Sequence, residues 1–96
     1  MITSKQRAYL RGLANGEVAI LQVGKGGITE PLLATLSDAL EARELIKLHV
    51  LETCDGAPKA ILNELCASLG AEPVASIGRK IVLYRASSKE PVIVLP

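Results

Sequence analysis

Aromatic side chains are almost absent from this sequence, which has Tyr9, Tyr84 and neither Phe nor Trp. Many single-strand binders stack bases on aromatic rings, and this sequence has few aromatic residues that could do so. Cysteine and histidine are also scarce, and Cys54, Cys66 and His49 have neither metal-ligand spacing nor a CxxC pair. We expect no zinc or other metal, no cofactor, and two reduced thiols in a cytoplasmic protein, with Cys66 buried.

Long apolar runs are missing as well. No stretch approaches the roughly 20 residues that a membrane helix needs. Polar residues from Thr3 to Arg7 open the chain with no apolar stretch behind them, so we expect no signal peptide. What is present is a chain of 96 residues, 49% hydrophobic and 22% charged, which is typical of one folded soluble domain.

Positive charge is concentrated at the two ends of the chain, although the net charge is only +1. Residues 1–27 carry four basic side chains against one acidic, residues 28–72 three against eight, and residues 73–96 four against one. If the two ends meet in space, they form a face that attracts polyanions. Charges scattered over a solvated surface explain the same counts equally well. The near-neutral total also suits a small adaptor that binds another protein.

Three helices can be predicted from their capping signals. Thr3 and Gln6 have the spacing of a capping box at the start of the first helix. Thr29 is a suitable N-cap for the second, with Pro31 in its first turn. The third opens at a proline and ends at a glycine, as helices commonly do. The predicted ranges are about 4–15, 29–43 and 58–70.

Four strands complete the predicted order α-β-α-β-α-β-β. Apolar residues from Ile46 to Val50 alternate with Lys47 and His49, as in a half-buried strand, and Gly78–Lys80 predicts a hairpin. Strands separated by single helices favour parallel neighbours. The expected fold class is α/β: a compact two-layer domain over 1–86, with helices on a mixed four-stranded sheet, and a tail over 87–96 that either packs or adds an edge strand. The strands are predicted at 17–23, 46–50, 74–77 and 81–85.

The segment Gly24-Lys25-Gly26-Gly27 lies between a predicted strand and a capped helix. A helix N-terminus attracts anions, glycines let a backbone approach a ligand closely, and Lys25 adds a cation. The nucleotide-binding patterns GxxxxGK[ST] and GxGxxG are both absent. What remains is GxxG, the loop by which KH domains clamp a nucleic-acid backbone. A turn that needs glycine only for its geometry stays open as the alternative.

The other candidate residues give weaker signals. Arg7 and Arg11 share one face of the first helix, and Arg79 and Lys80 stand at a hairpin tip. All four could contact phosphates or could simply be solvated. His49 has no nucleophile motif nearby, and the acidic residues show no paired-carboxylate arrangement, so we predict no enzymatic activity.

Four segments, in order, resemble the CRM domain, and more narrowly its bacterial single-domain YhbY-like members: 3–11, 22–29, 39–47 and 77–85. The resemblance implies a fold like the C-terminal domain of translation initiation factor three. It also implies RNA binding in ribosome maturation, with precursors of the large ribosomal subunit as partners. A monomer is expected. The third helix is less basic than an RNA-facing helix would be, and the tail from Pro91 matches nothing in the family.

The family's motifs assign a predicted RNA-binding site in this sequence. The GxxG loop falls on the four residues from Gly24 to Gly27, the basic first helix on three cations, and the basic hairpin on two. Because aromatic residues are few, recognition should rest on phosphate, sugar and RNA shape rather than on base stacking. The predicted site consists of Gly24, Lys25, Gly26, Gly27, Lys5, Arg7, Arg11, Arg79 and Lys80.

Overall fold

The computed structural model describes residues 2–89 and 91–96. Its four strands form one mixed sheet in the order β1-β2-β4-β3, in which β1 is parallel to β2 and the other pairs are antiparallel. The predicted order of elements and the α/β fold class are confirmed. The elements are α1 (Ser4–Ala14), β1 (Leu21–Val23), α2 (Glu30–Arg43), β2 (Leu45–Val50), α3 (Pro58–Leu69), β3 (Glu72–Ile77) and β4 (Lys80–Tyr84).

The helix ends follow the predicted capping signals. The Gln6 N–H donates to Thr3 Oγ1 at 3.1 Å and the Thr3 N–H donates to Gln6 Oε1 at 2.9 Å, which completes the capping box of α1. Thr29 Oγ1 accepts the Leu32 N–H at 3.2 Å at the start of α2. Gly70 ends α3 in the left-handed conformation, with φ of 65°. Local sequence therefore determines where these helices begin and end.

Successive residues of β2 and β4 point to opposite faces of the sheet and build two apolar clusters. One face packs on α2 and α3 and forms the larger apolar cluster. The other face packs on α1, which covers only part of it. The main members of the first cluster are Leu36, Leu40, Ile46, Leu48, Leu65, Ile81 and Leu83. The second cluster comprises Leu10, Ala14, Leu45, Val74, Val82 and Tyr84.

The first strand is shorter than predicted. It begins at Leu21, so the expectation of a strand from Glu17 is wrong. The Lys47 ammonium group donates to the carbonyl oxygens of Ala14 at 3.2 Å and Glu17 at 3.4 Å. These bonds hold the connection after α1 above the sheet surface, and Val18 within it is 77% exposed. A contact from a distant strand thus overrides the local strand pattern.

The C-terminal tail packs on the domain and forms no strand in its described part. The Glu44 carboxylate accepts three tail N–H groups, from Ser87 at 2.8 Å, Val92 at 2.6 Å and Ile93 at 2.7 Å. Glu44 is buried and has a φ of 66°, the one positive φ among the non-glycine residues described. Ile93 and Leu95 add their side chains to the α1 cluster. Glu44, at the end of α2, therefore anchors the tail at Ser87, Val92 and Ile93, and Glu41 adds hydrogen bonds from Ser87 and Ser88.

The Glu44 anchor links stability to pH. Burial by itself would raise the pKa of Glu44, but the N–H groups of Ile93, Ser87 and Val92 outweigh it and hold the pKa below the ordinary 4.5. A carboxyl group with a lowered pKa stabilises the fold above its unfolded pKa. That contribution is lost as the pH falls below 4.5 and through the pKa of the folded state.

Glu44→Gln should lower the free energy of unfolding by about 2 kcal/mol at neutral pH, because hydrogen bonds to a charged acceptor become weaker ones to an amide. It should also flatten the loss of stability on acidification. Urea denaturation from pH 7 down through the carboxyl range measures both effects. Glu41→Gln is the comparison variant and should change stability less, since Glu41 is partly exposed and bonds mainly the exposed Ser88, with Ser87 Oγ and Arg85 as further partners. A variant as stable as wild type at neutral pH would contradict the anchor.

Candidate nucleic-acid interface

The Gly24–Gly27 segment forms a tight turn directly after β1. The Gly27 N–H donates to the Gly24 carbonyl at 2.9 Å, and Gly27 has a φ of 65°. Lys25 and Gly26 are exposed at the tip. Their backbone N–H groups have no acceptor within the described part of the chain. The turn therefore presents two free donors and an ammonium group to solvent.

The start of α2 contributes less to an anion site than its position in the sequence indicates. Thr29 Oγ1 already accepts a hydrogen bond from the Leu32 N–H, and the Leu33 N–H donates to the Thr29 carbonyl at 2.9 Å. Pro31 has no backbone N–H. Glu30 adds a negative charge in the first turn. Of the N–H groups in this first turn, that of Glu30 has no acceptor among the described residues, so the donors for an anion come mainly from the glycine turn, with the helix dipole as support.

Arg79 fixes the β3–β4 turn against the end of β2. Its guanidinium group donates from Nε to the Val50 carbonyl at 2.7 Å and from Nη2 to the Leu51 carbonyl at 2.8 Å. The Leu51 N–H in turn donates to the Val23 carbonyl at 2.9 Å, one residue before Gly24. The glycine turn and the predicted basic hairpin therefore lie at the same end of the sheet. Arg79 also has a structural role that the sequence did not reveal.

Lys80 is exposed and lies on the open part of the α1 face. The strand register pairs Gln22 with His49 and His49 with Lys80. Directly paired residues point to the same face, so the three side chains form a row across β1, β2 and β4. None of them has a hydrogen-bond partner among the residues described. Gln22 and His49 are not part of the predicted site, although the alternation in β2 places His49 on the polar face of that strand.

The cations of α1 lie away from the glycine turn. The Ile2 N–H donates to Glu72 Oε1 at 2.9 Å and Arg7 Nε donates to the Pro73 carbonyl at 3.1 Å, so α1 begins beside the start of β3. The start of β3 pairs with the end of β4, about 13 Å along that strand from Lys80. Lys5 and Arg11 are exposed on α1. The predicted site thus falls into two basic areas, one at each end of the sheet.

Other kinds of site find little support in residues 2–89 and 91–96. No group of three or more His, Cys, Asp or Glu side chains is placed there to hold a metal ion. No helix in these ranges is long and apolar enough to span a bilayer. Burial, helped by the Glu72 carboxylate, raises the pKa of Cys66 to about 12, so its sulfur is a thiol at neutral pH. Cys66 is buried, as predicted, and so is Cys54.

The chain is a small α/β domain with a mixed four-stranded sheet and an exposed glycine turn between the edge strand β1 and the helix α2. The model of the CRS1/YhbY (CRM) domain family matches residues 2–85, and the chain belongs to this family. The predicted family membership is therefore confirmed.

Related proteins match along almost their whole length. "Probable RNA-binding protein YqeI" of Bacillus subtilis is 40% identical over 96 residues, which are 100% of both chains. A Haemophilus influenzae protein named "RNA-binding protein" is 36% identical over 95 residues, which are 99% of this chain and 95% of that one. A solution structure of a Staphylococcus aureus protein, described as a candidate RNA-binding protein, has a TM-score of 0.84 and 44% identity over 100% of both chains.

Gly27 and Gly26 should respond differently to substitution by alanine. Gly27→Ala should lower the free energy of unfolding by about 1 kcal/mol, because its positive φ is unfavourable for a residue with a Cβ. Gly26→Ala should leave stability unchanged, since a Cβ there meets nothing closer than Thr29 Cγ2 at 3.8 Å. Urea denaturation of both variants tests the difference. Equal losses of unfolding free energy in the two variants would contradict the positive φ of Gly27.

Proposed function

We propose that this chain is an RNA-binding protein that holds the RNA phosphate backbone at the Gly24–Gly27 turn. The observation that carries the proposal is the free backbone donors of Lys25 and Gly26 beside an exposed ammonium group. Backbone N–H groups and lysine are the donors that proteins commonly direct at phosphate oxygens. The names of the two bacterial relatives support RNA as the nucleic acid.

Uncompensated positive charge supports the same site. Lys25 and Lys80 form no ion pair and no side-chain hydrogen bond with any described residue. Arg79 lies between the glycine turn and Lys80 and keeps its charge while its guanidinium group bonds two carbonyls. An RNA phosphate that replaces the counterions of these side chains gains free energy from their release.

The basic residues of α1 form the second part of the proposed surface. Arg7 is tied through Nε to the Pro73 carbonyl, which orients its guanidinium group, whereas Lys5 and Arg11 are exposed. We propose that an RNA long enough to extend from the glycine turn toward the start of β3 contacts these three cations.

We propose further that the RNA is ribosomal RNA. The chain would bind it as a monomer, in precursors of the large ribosomal subunit and in the cytoplasm. The resemblance of the sequence to the YhbY-like proteins supports this assignment. Binding through backbone donors and lysines suits a structured RNA, since such contacts follow shape rather than base sequence. Catalysis has no part in the proposal.

Replacing Lys25 and Gly26 together with Asp should abolish RNA binding, because two carboxylates would stand where a phosphate must lie. The fold should persist, since neither position has a positive φ and the Gly26 position has room for a side chain. Fluorescence anisotropy with a ribosomal RNA fragment measures the loss. Sedimentation through gradients should show the wild-type chain with large-subunit precursors, and the variant free of them.

Lys89→Asp combined with Ala67→Asp is the matched control, since it makes the same change in net charge at exposed positions. Lys89 lies beside the C-terminal half of α2, about 20 Å along that helix from the loop. This control should bind RNA nearly as well as wild type. Retained binding by the loop variant would refute the loop assignment. Co-sedimentation that survives nuclease treatment would favour a protein adaptor instead.

RNA affinity should fall steeply as salt rises, because each neutralised phosphate releases counterions. Removing one cation, in Lys25→Ala, should reduce the slope of log affinity against log salt by about 0.7 to 0.9. Titrations at several salt concentrations, with wild type and variant side by side, give this difference. An affinity that does not respond to salt, or an unchanged slope in the variant, would contradict phosphate contact at Lys25.

A further inference from the structure

An open groove lies on the α1 face of the sheet, next to the glycine turn and beyond the region that α1 covers. Its volume is about 580 Å³, within the range of roughly 300–1,000 Å³ typical of small-ligand sites. Its walls are the connection into β1 and the strand itself, and its floor is the paired row across the sheet. The lining residues are Ala19, Ile20, Leu21, Gln22, His49 and Lys80.

The register fixes the distances within this groove. Gln22 is two residues before Gly24, which places their Cα atoms about 7 Å apart in an extended strand. Gln22 pairs with His49 and His49 with Lys80, so the row spans two strand spacings, or about 10 Å. A nucleotide adjoining a phosphate held at the glycine turn can therefore reach all three side chains.

His49 has an available aromatic ring on which a base can stack. Its side chain is half-buried and forms no hydrogen bond with the described residues, whereas the Lys47 side chain, two residues earlier on the same face, donates to two carbonyls. Tyr84 is buried in the α1 cluster and Tyr9 lies on α1 itself. The imidazole is thus the aromatic ring next to the turn, and histidine rings stack on unpaired bases in RNA-binding proteins.

We propose that this groove holds the nucleotide that follows the clamped phosphate when that nucleotide is unpaired, with its base stacked on His49. The Gln22 side-chain amide hydrogen-bonds the edge of the base, and the Lys80 ammonium group contacts the next phosphate. The inference rests on the proposed function and makes the site selective for single-stranded segments, since a base stacked inside a duplex cannot enter. It adds one stacking contact to a site otherwise expected to use phosphate and shape alone.

The test compares two probes, a short oligoadenylate and a blunt-ended RNA duplex, by fluorescence anisotropy. His49→Ala should weaken oligoadenylate binding about ten-fold, as loss of one stacked base does, and should leave duplex binding within two-fold of wild type. His49→Phe should restore oligoadenylate binding. In NMR titrations of the wild-type chain, oligoadenylate should shift the His49 ring protons upfield and the duplex should not.

Several outcomes would overturn the groove assignment. They are an unchanged oligoadenylate affinity in His49→Ala, an equal loss for both probes, or a phenylalanine variant no better than the alanine variant. His49→Thr, a good strand former, replaces the alanine variant if that fails to fold. A failure of the proposed function would give a different result. In that case the variant with Asp at both Lys25 and Gly26 would bind the oligoadenylate and the duplex as well as wild type does.

Discussion

Hydrogen bonds at the carboxyl end of β2 hold together the parts of the proposed interface. The carbonyls of Val50 and Leu51 accept the Arg79 guanidinium group, and the Leu51 N–H reaches back to the Val23 carbonyl. Through these bonds the edge strand before the glycine turn and the β3–β4 turn, far apart in sequence, share one end of the sheet. They add to the strand pairing that places β1, β2 and β4 side by side, and they fix the two turns at this end of the sheet relative to each other.

For the attraction of RNA, the charge near the glycine turn matters more than the net charge of the chain. The net charge is only +1, yet the acidic residues Asp38 and Glu41 lie on α2, which packs on the face of the sheet away from the open groove. Glu44 is bonded to the tail, and Arg85 pairs with Glu41 at 3.8 Å and bonds backbone carbonyls. These three carboxylates are therefore bonded or remote from Lys25 and Lys80, whereas Glu30, in the first turn of α2, stays close to the glycine turn.

The sequence was most informative where structure is local. Capping at Thr3 and Thr29, the glycine end of α3 and the hairpin before Lys80 all depend on residues a few positions apart, so they could be predicted. The start of β1, the tail anchor at Glu44 and the bonds of Arg79 depend on contacts between distant parts of the chain. No single-sequence pattern contains those contacts.

In the candidate site, too, local features could be predicted from the sequence and long-range ones could not. The glycine turn and the helix after it are consecutive in sequence, so their juxtaposition could be predicted. The partition of basic residues could not, because it depends on where α1 crosses the sheet. The bond from Arg7 to the Pro73 carbonyl shows that the start of α1 lies beside β3, away from the turn. Two basic areas therefore replace the single patch that the charge distribution suggested.

The glycines themselves bear on the alternative that the GxxG segment is only a turn. A turn explains Gly27, which has a positive φ. It does not explain Gly24 or Gly26, where φ is not positive and a Cβ would meet ordinary contacts at 3.6 Å and 3.8 Å. At these positions the fold would accept a side chain. A ligand that must approach the exposed backbone of the turn gives a reason for their bareness that folding does not.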